Sequence, residues 1–191
     1  MDNYPYIIAG LPDFVLDYDF HQFDYDEVRN HIYTFCSPND QRLIEWLEFG
    51  FEQKNLTNHF YRASLSNKNS FIRNFFQFDK HVRNAKVAYL KGTPYEEEFE
   101  EYVNVWNIFT VQNIIERERN LDKLIWNKVS DLVTYDFFNI NVLLSFLVKA
   151  KMIQRWNKID KKVGAELFEK YVKEVRGTYK GVEYNADIKK K

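Results

Sequence analysis

The sequence has one cysteine, six glycines and four prolines among its 191 residues. Cys36 has no second cysteine to pair with, so the chain forms no internal disulfide and carries no CxxC zinc or redox motif. This cysteine usage suits a reducing compartment. Because glycine and proline are scarce, tight turns are few, which disfavours a β-sandwich or barrel and favours helices.

The sequence also lacks a long hydrophobic run. Its longest nearly apolar stretch, Ile140 to Val148, is far shorter than the roughly 20 residues that a membrane-spanning helix needs. The chain begins MDNYPY, without the basic and apolar regions of a signal peptide. These absences predict a soluble cytoplasmic protein, peripheral at most to the cytoplasmic face of the inner membrane.

Motifs for catalysis, cofactors and metals are missing as well. No glycine-rich phosphate loop, nucleophile elbow or HExxH sequence occurs. His21 stands near Asp17 and Asp19, but the segment lacks the turn glycine and distal glutamate of a calcium loop, which favours a solvated acidic segment. We therefore predict that the chain is not an enzyme and has no catalytic residue, metal, cofactor or small-molecule substrate.

An enzyme whose residues converge only in three dimensions is the competing class. Such an enzyme would have a deep pocket in which several ionisable groups show strongly perturbed pKa values. The residues whose convergence would favour it are Glu116, Asp122, Lys149 and Arg155.

Hydrophobic residues make up 45% of the sequence and aromatic residues 18%. This composition argues against disorder over most of the chain, and 191 residues suffice for one well-cored domain. We predict a helical domain at 1–176 and a flexible basic tail at 177–191, because the tail has no apolar period. A division of the domain into two lobes, about 1–91 and 95–176, stays open.

The net charge of −1 hides an asymmetry between the two ends. Residues 1–28 hold seven acidic residues and no lysine or arginine, whereas residues 149–191 hold thirteen basic and six acidic residues. The ends either lie close together and partly neutralise each other, which we favour, or form separate surfaces for different partners. A pI of 6.4 argues against nucleic-acid binding.

The stretch at 139–156 is apolar over nearly its whole helical surface. A helix with so little polar surface belongs in the middle of a helical array, with amphipathic neighbours on more than one side. Asn139 or Asn141 can cap its start. We therefore predict an all-α single domain of about six to eight helices around a buried helix near 141–156.

Capping residues and periodic apolar positions predict the neighbouring helices. One helix follows Asp24, and another begins at Ser37-Pro38 and breaks near Gly50. Thr93-Pro94 repeats the second kind of start. The predicted ranges are about 25–35, 38–62, 70–90, 93–110, 111–133 and 160–176, where 93–133 is two helices or one longer one.

The N-terminal segment reads differently from these helices. Residues 4–9 are apolar but have no helical repeat, which predicts an extended piece or a single turn. Residues 13–27 alternate acidic with aromatic or aliphatic residues, and this period near two predicts an extended strap.

Opposite charges stand three and four residues apart between positions 116 and 123. The usual meaning of this pattern is a solvated helix face. The alternative is that one member turns inward to meet Lys149, Lys151 or Arg155 of the central helix. The residues of the expected structural charge network are Glu116, Arg119, Asp122, Lys149 and Arg155.

Several stretches resemble a bacterial family of unknown function whose genes lie among those for a rotary V/A-type ATPase. The stretches are ERERNLDKLIW, YDFFNINVLLSFLVKAKMIQRW and NKIDKKVGAELF in the C-terminal half, with NYPYIIAGLPD and FDKHVRNAKVAYLKG earlier. The family-like residues are Glu116, Arg117, Glu118, Arg119, Asp122, Trp126, Phe138, Lys149, Arg155, Trp156, Asp160 and Gly164, with the pair Arg83-Asn84.

This family is itself similar, more weakly, to the C subunit of these ATPases, which is called d in the V-type enzymes. That subunit is an all-helical cap between the central shaft and the membrane ring. The similarity includes an apolar helix followed by Arg155. The residues that follow the subunit's YxYIxARL start are Tyr4, Tyr6, Ile7, Ala9 and Leu11.

The resemblance implies a non-catalytic subunit or accessory factor of a V/A-type ATPase, in the place of the shaft-to-ring coupler in proton or sodium transport. Its partners would be the ATPase shaft and ring subunits. The alternative function is a free-standing helical adaptor for protein interaction or assembly. The residues expected to contact a partner are the basic residues near the end of the central helix: Lys151, Lys158, Lys161 and Lys162.

Overall fold

The computed structural model describes residues 3–18, 22–95, 99–159 and 161–178, with side chains only at 164–177 in the last range. In these ranges the chain is all-α, as predicted: it has no β-strand, and eight of its helices are at least seven residues long. The helices are α1 (Tyr4–Ala9), α2 (Tyr25–Phe35), α3 (Pro38–Phe51), α4 (Asn58–Leu65), α5 (Ser70–Lys91), α6 (Tyr102–Thr110), α7 (Ile114–Asp131), α8 (Ile140–Asn157) and α9 (Lys161–Thr178), with a 3-10 helix at Gln53–Asn55.

Helix α8 is the centre of the array, as its sequence predicts. Eight of its 18 residues are buried, and it packs against α1, α2, α3, α5 and α7. Asn139 caps it by accepting hydrogen bonds from the backbone N–H groups of Asn141 and Val142, at 3.0 and 3.4 Å. Because neighbouring helices cover it on several sides, this almost wholly apolar helix can be buried. No helix in the described ranges is long and apolar enough to cross a membrane.

Two clusters of buried side chains fill the interior. The larger one draws on α1 to α5, α7 and α8, so both halves of the chain contribute to it. Ile125 of α7 packs against both clusters. The smaller cluster joins the C-terminal half of α5 to α6 and α7, and its buried members are Phe78, Val82, Ala85, Val105 and Phe109.

Several helix ends lie where the sequence predicts them. Asp24 caps α2 by accepting from the N–H of Asp26 at 2.8 Å, and Ser37 caps α3 by accepting from the N–H of Asp40 at 3.3 Å. Gly92 ends α5 with a φ of 65°, which glycine adopts without a Cβ clash. Local capping chemistry therefore fixes these three boundaries.

The predicted helix start at 93–94 is wrong, because α6 begins only at Tyr102. Among the described residues before α6, Tyr95 and Phe99 pack against α5, and a turn in which the N–H of Tyr102 donates to the main-chain oxygen of Phe99 leads into the helix. The ring of Phe99 stacks on His81 at 5.0 Å between centroids, and the hydroxyl of Tyr95 lies 2.9 Å from Nδ1 of His81. These contacts join residues distant in sequence, so a local cap pattern cannot anticipate them.

Two long predicted segments are divided in the structure. The segment predicted at 38–62 ends its first helix at Phe51 and resumes as α4 after the 3-10 helix, which confirms the break near Gly50. Between α6 and α7 the helical path is interrupted at 111–113, where Asn113 caps α7. The chain therefore forms two helices there.

The strap predicted at 13–27 is not helical at 13–18 and 22–24, whereas residues 25–27 form the first turn of α2. The preceding segment 4–9 forms the short helix α1, whose Ile7 is fully buried. Residues 96–98, which belong to the helix predicted at 93–110, lie outside the described residues. Residues 179–191, which make up most of the predicted tail, also lie outside them.

Gly50 lies inside α3 where a larger residue would collide with the core. A Cβ built there would lie 2.3 Å from Cζ of the buried Phe76 and 2.9 Å from Cζ of Phe60. Alanine normally stabilises a helix interior by about 1 kcal/mol relative to glycine, but overpacking costs about 1–3 kcal/mol. A contact as close as 2.3 Å places the overpacking cost at the upper end of this range, so that after the helix gain is subtracted we expect Gly50→Ala to lower the free energy of unfolding by about 2 kcal/mol in urea denaturation.

Gly164→Ala is the matched control for this substitution, because a Cβ at Gly164 in α9 meets nothing within 4 Å. The control should leave the urea midpoint unchanged or raise it, since alanine favours an exposed helix position over glycine by up to about 1 kcal/mol. A Gly50→Ala variant with the wild-type midpoint would contradict the close packing of α3 on α5.

Candidate docking site at the end of helix α8

A surface cavity of about 350 Å³ lies beside the C-terminal end of α8. Phe51 of α3, Phe75 of α5 and Met152 of α8 give it an apolar floor. Lys151 and Lys158 line it at the surface, one on the last full turns of α8 and one just after them. The cavity therefore combines an apolar interior with a basic rim.

Asp122 of α7 forms the buried polar corner of this cavity and has only 2% of its surface exposed. Its Oδ2 accepts hydrogen bonds from the guanidinium of Arg155 and, at 2.6 Å, from Nε1 of Trp156. Arg155 also lies 3.8 Å from a carboxylate oxygen of Glu118. Burial raises the pKa of the Asp122 carboxyl, because the loss of hydration outweighs the attraction of Arg155.

The N-terminal strap is fastened at the same end of α8. The ring of Tyr18 packs edge-on against Trp156 at 5.0 Å between centroids, and its hydroxyl donates to the main-chain oxygen of Arg119 at 2.7 Å. The guanidinium of Arg119 lies 4.9 Å from the centre of the Tyr18 ring. Tyr18 has a φ of 64°, uncommon for a residue with a side chain, and these contacts hold it there.

The two rim lysines form no ion pair within the described part of the chain. The ammonium of Lys151 lies 4.6 Å from the ring centre of Tyr25 and 6.0 Å from that of Phe51. Lys158 is exposed. Because Arg155 faces carboxylates, the unbalanced positive charge of the rim comes from these two lysines, and it favours an anionic partner.

Lys149 points away from this cavity. Its ammonium lies 5.1 Å from the ring centre of Trp126. Burial lowers the pKa of Lys149, and the negative charge of Asp13 on the strap partly opposes that shift. The acidic N-terminal segment therefore passes beside at least one basic residue of α8.

The residues of the expected charge network are divided between places. Asp122 is the member of α7 that turns inward, and it meets Arg155. Arg119 stacks on the neighbouring rings, whereas Lys149 lies elsewhere on α8 and Glu116 is exposed in the first turn of α7. The four residues whose convergence would have favoured an enzyme therefore do not share this cavity.

The structure shows the side chains of two of the four lysines that were expected to contact a partner. Lys151 and Lys158 line one cavity, whereas the side chains of Lys161 and Lys162 lie outside the described residues. Their place near the end of the central helix is the reason for expecting them at a partner contact, and the spacing of positions 151, 155 and 158 along one helical face is a further signal that predicts a shared surface. Sequence reasoning missed the cavity floor, which comes from helices distant along the chain.

Helix α9 begins after a connection of three residues from the end of α8. Its apolar side chains are exposed to solvent. Leu167 is 45% exposed, Phe168 69% and Tyr171 60%, and no residue from 164 to 177 is buried. The sequence predicts this apolar stripe correctly, but a stripe alone does not show whether the same chain covers it. In the structure it is open.

Metal ligation finds no support in the described ranges, where no group of three or more histidine, cysteine or acidic side chains is arranged to hold an ion. The site consists of an apolar cavity, two cations at its rim and an exposed amphipathic helix.

Residues 94–178 match the model of a family described as "Protein of unknown function (DUF2764)". This match contains the end of α8, both rim lysines and α9. It confirms that the C-terminal half resembles an uncharacterised family, whereas a link to a rotary ATPase stays a prediction. No curated protein and no solved structure matches the chain.

Proposed function

We propose that this protein is a non-catalytic subunit or accessory factor of a bacterial V/A-type rotary ATPase, acting as a coupler between the central shaft and the membrane ring. The end of α8 and helix α9 form its docking surface for an acidic amphipathic helix of a partner subunit. The observation that carries the docking proposal is the apolar cavity whose rim lysines, Lys151 and Lys158, have no carboxylate partner among the described residues.

The cavity favours a protein ligand with one apolar anchor. Its volume of about 350 Å³ is at the small end for binding cavities and accepts an apolar side chain. Burying one leucine or phenylalanine there contributes roughly 1.5–3 kcal/mol. Carboxylates beside that anchor would meet the rim lysines, which adds specificity and speeds association.

Helix α9 favours a helical partner over a lipid surface. Helices that lie on membranes are rich in lysine and arginine on their polar face. After Lys161 and Lys162 at its start, α9 has three acidic and three basic residues between 164 and 177. Lys170 lies 4.0 Å from Glu174, and Lys173 lies 3.9 Å from Glu169, so the charges are largely matched within the helix. An exposed apolar stripe with a balanced polar face suits packing against another amphipathic helix.

The choice of an ATPase as the partner rests on the resemblance described for the sequence. A cap subunit needs an all-helical body and exposed contact surfaces, and the fold and α9 are compatible with both needs. The alternative is a free-standing helical adaptor, which would use the same surface for an unrelated protein.

Purification of the tagged protein from detergent-solubilised native membranes tests both parts of the proposal. We expect wild type to recover ATPase shaft or ring subunits in stoichiometric amounts. The double variant Lys151→Glu and Lys158→Glu should recover at least about tenfold less of them, since both rim charges are reversed. The readout is quantitative mass spectrometry of the eluted subunits.

Lys86→Glu with Lys91→Glu is the matched control, because both lysines are exposed on α5, away from the cavity. This control should recover subunits as wild type does, and both double variants should keep the wild-type melting temperature. Recovery of wild type without ATPase subunits, together with unchanged coupled ion pumping in a deletion strain, would leave the adaptor as the function. Equal recovery of ATPase subunits by the two double variants would exclude the cavity as the docking site.

A further inference from the structure

The chain from 53 to 93 carries a large excess of positive charge. Eight of these residues are lysine or arginine and only one, Asp79, is acidic. They form the 3-10 helix, α4 and α5, so the charge belongs to one packed part of the molecule. Asp79 is already bonded, because its Oδ2 accepts from the hydroxyl of Tyr61 at 2.6 Å and from Nε of Arg83 at 2.8 Å. The other cations therefore have no carboxylate in this range to pair with.

Neighbouring helices do not supply the missing negative charge. Helices α4, α6 and α8 all pack against α5, and none of them contains an acidic residue. Just before α6, Glu100 and Glu101 lie 3.3 and 2.5 Å from the ammonium of Lys128. Glu52 is exposed immediately before the range, and when it is counted eight basic residues stand against two acidic ones. This excess favours an anionic partner.

A surface cavity of about 500 Å³ opens within this basic part of the chain. Lys80, Arg83 and Lys86 of α5 line it, and no acidic residue of the described ranges does. Lys80 and Lys86 form no ion pair with any residue that the structure describes. Three side-chain amides add further N–H donors, those of Gln53, Asn58 and Asn84. Ammonium and amide donors around one cavity suit the oxygen atoms of a phosphate group.

Two exposed aliphatic side chains stand beside these cations. Leu90 is 71% exposed and Val87 48%, and both line the cavity. Positions 80, 83, 87 and 90 lie three or four residues apart, so they share one face of α5. We call this face, with Lys86 at its edge, the α5 surface. Exposed aliphatic side chains among lysines are typical of helices that lie on anionic membranes.

We infer that the α5 surface docks the protein on an anionic phospholipid bilayer. A headgroup phosphate would enter the cavity between Lys80 and Lys86, and Val87 and Leu90 would reach the boundary of the acyl chains. The flexible stems of the lysines extend along apolar groups while their ammonium groups reach the headgroups. This inference goes beyond the proposed function, because the contact needs no ATPase subunit.

Two other anionic partners fit the α5 surface less well. The centres of protein interfaces are rich in tryptophan, tyrosine and arginine and poor in leucine and valine. Here the exposed apolar residues are Leu90 and Val87, and Arg83 is held by Asp79. Proteins that bind single-stranded nucleic acids stack the bases on exposed aromatic side chains. The aromatic residue that lines this cavity, Tyr61, is buried.

Sedimentation with lipid vesicles tests the inference on the purified full chain. We expect wild type to sediment with vesicles of equal parts phosphatidylglycerol and phosphatidylcholine and to stay in solution with pure phosphatidylcholine. The double variant Lys80→Glu and Lys86→Glu should bind the anionic vesicles at least about tenfold more weakly, because two attractive charges become repulsive. Val87→Ala with Leu90→Ala should weaken binding at least about threefold through the loss of apolar burial.

Arg42→Glu with Lys123→Glu is the matched control, because both residues are exposed on other helices and the change in net charge is the same. This control should bind the anionic vesicles as wild type does, and both charge variants should keep the wild-type melting temperature. Equal binding by the two charge variants would exclude the α5 surface as the lipid contact. Equal binding of wild type to both kinds of vesicle, or binding to neither, would overturn the inference.

Two further results would overturn it in favour of another partner. Binding of a duplex oligonucleotide by wild type but not by Lys80→Glu with Lys86→Glu, without binding to vesicles, would identify a nucleic acid. Loss of ATPase subunits from the detergent extract by that variant, with normal vesicle binding, would identify a protein.

The lipid contact and the ATPase contact are tested separately, because the detergent extract contains no bilayer. Lys86→Glu with Lys91→Glu should therefore recover ATPase subunits from that extract as wild type does, although it weakens binding to anionic vesicles. Vesicle binding that depends on Lys80 and Lys86 would stand even if wild type recovered no ATPase subunit.

Discussion

Replacing Leu147 with alanine is expected to lower the free energy of unfolding by about 3–4 kcal/mol, the largest effect anticipated for a single substitution in this protein. Leu147 has no exposed surface and lies in the middle of α8, the helix that packs against five others. This loss of stability has two parts, the hydrophobic burial of the leucine side chain and the cavity that the substitution leaves. The cavity persists because the neighbouring helices cannot collapse into it.

Thermal unfolding followed by far-UV circular dichroism measures this effect. For a domain of this size we expect the melting temperature to fall by roughly 10 °C. Leu90→Ala is the matched control, since Leu90 is 71% exposed on α5 and should change stability by less than about 0.5 kcal/mol. Equal melting temperatures for the two variants would contradict the central position of α8.

Replacing Asp122 with alanine is expected to lower the free energy of unfolding by about 2 kcal/mol. The substitution leaves the guanidinium of Arg155 and the indole N–H of Trp156 without their acceptor. The loss is smaller than for a fully buried ion pair, because 51% of the Arg155 side chain is exposed and water can solvate it. Asp131→Ala removes an exposed carboxylate from the same helix and should have little effect in urea denaturation.

The pH dependence of Asp122→Asn tests the ionisation of this carboxyl. Because burial raises the pKa of Asp122, the folded state binds its proton more tightly than the unfolded state. The stabilising contribution is therefore full below the unfolded pKa of about 3.9 and is lost as pH rises through the higher folded value. The stability advantage of wild type over Asp122→Asn should shrink as pH rises above about 4. A growing advantage would mean that Arg155 controls the pKa.

Local chemistry made much of the fold predictable. Helix α8 has almost no polar face, so its sequence alone indicates that it lies in the interior. The capping residues Asp24, Ser37 and Gly92 act within one helical turn, so the helix ends they set are also visible in the sequence. The start of α6 could not be predicted in this way. It depends on the packing of Phe99 against His81, a contact between segments that sequence patterns do not join.

The candidate site, like the fold, can be predicted from the sequence only in part. The spacing of Lys151 and Lys158 indicates a basic surface on α8, and that part is visible in the sequence. The floor depends on Phe51 and Phe75, whose helices meet α8 only through tertiary packing. The stripe on α9 is also visible in sequence, but its exposure is not, because buried and docking helices share one pattern. The exposed aromatic residues between α7 and α8, Tyr135, Phe137 and Phe138, are visible in the sequence as a dense aromatic run.

Site-specific photocrosslinking in cells tests the central claim most directly, since it reports what covers α9 in the intact assembly. A benzophenone side chain at Phe168 would lie on the exposed stripe, and the same group at Val87 on α5 serves as the control. The account predicts that the probe at Phe168 crosslinks to a shaft or ring subunit of the ATPase and that the probe at Val87 does not. Crosslinking at Phe168 no stronger than at Val87, or only to proteins outside the ATPase, would contradict it.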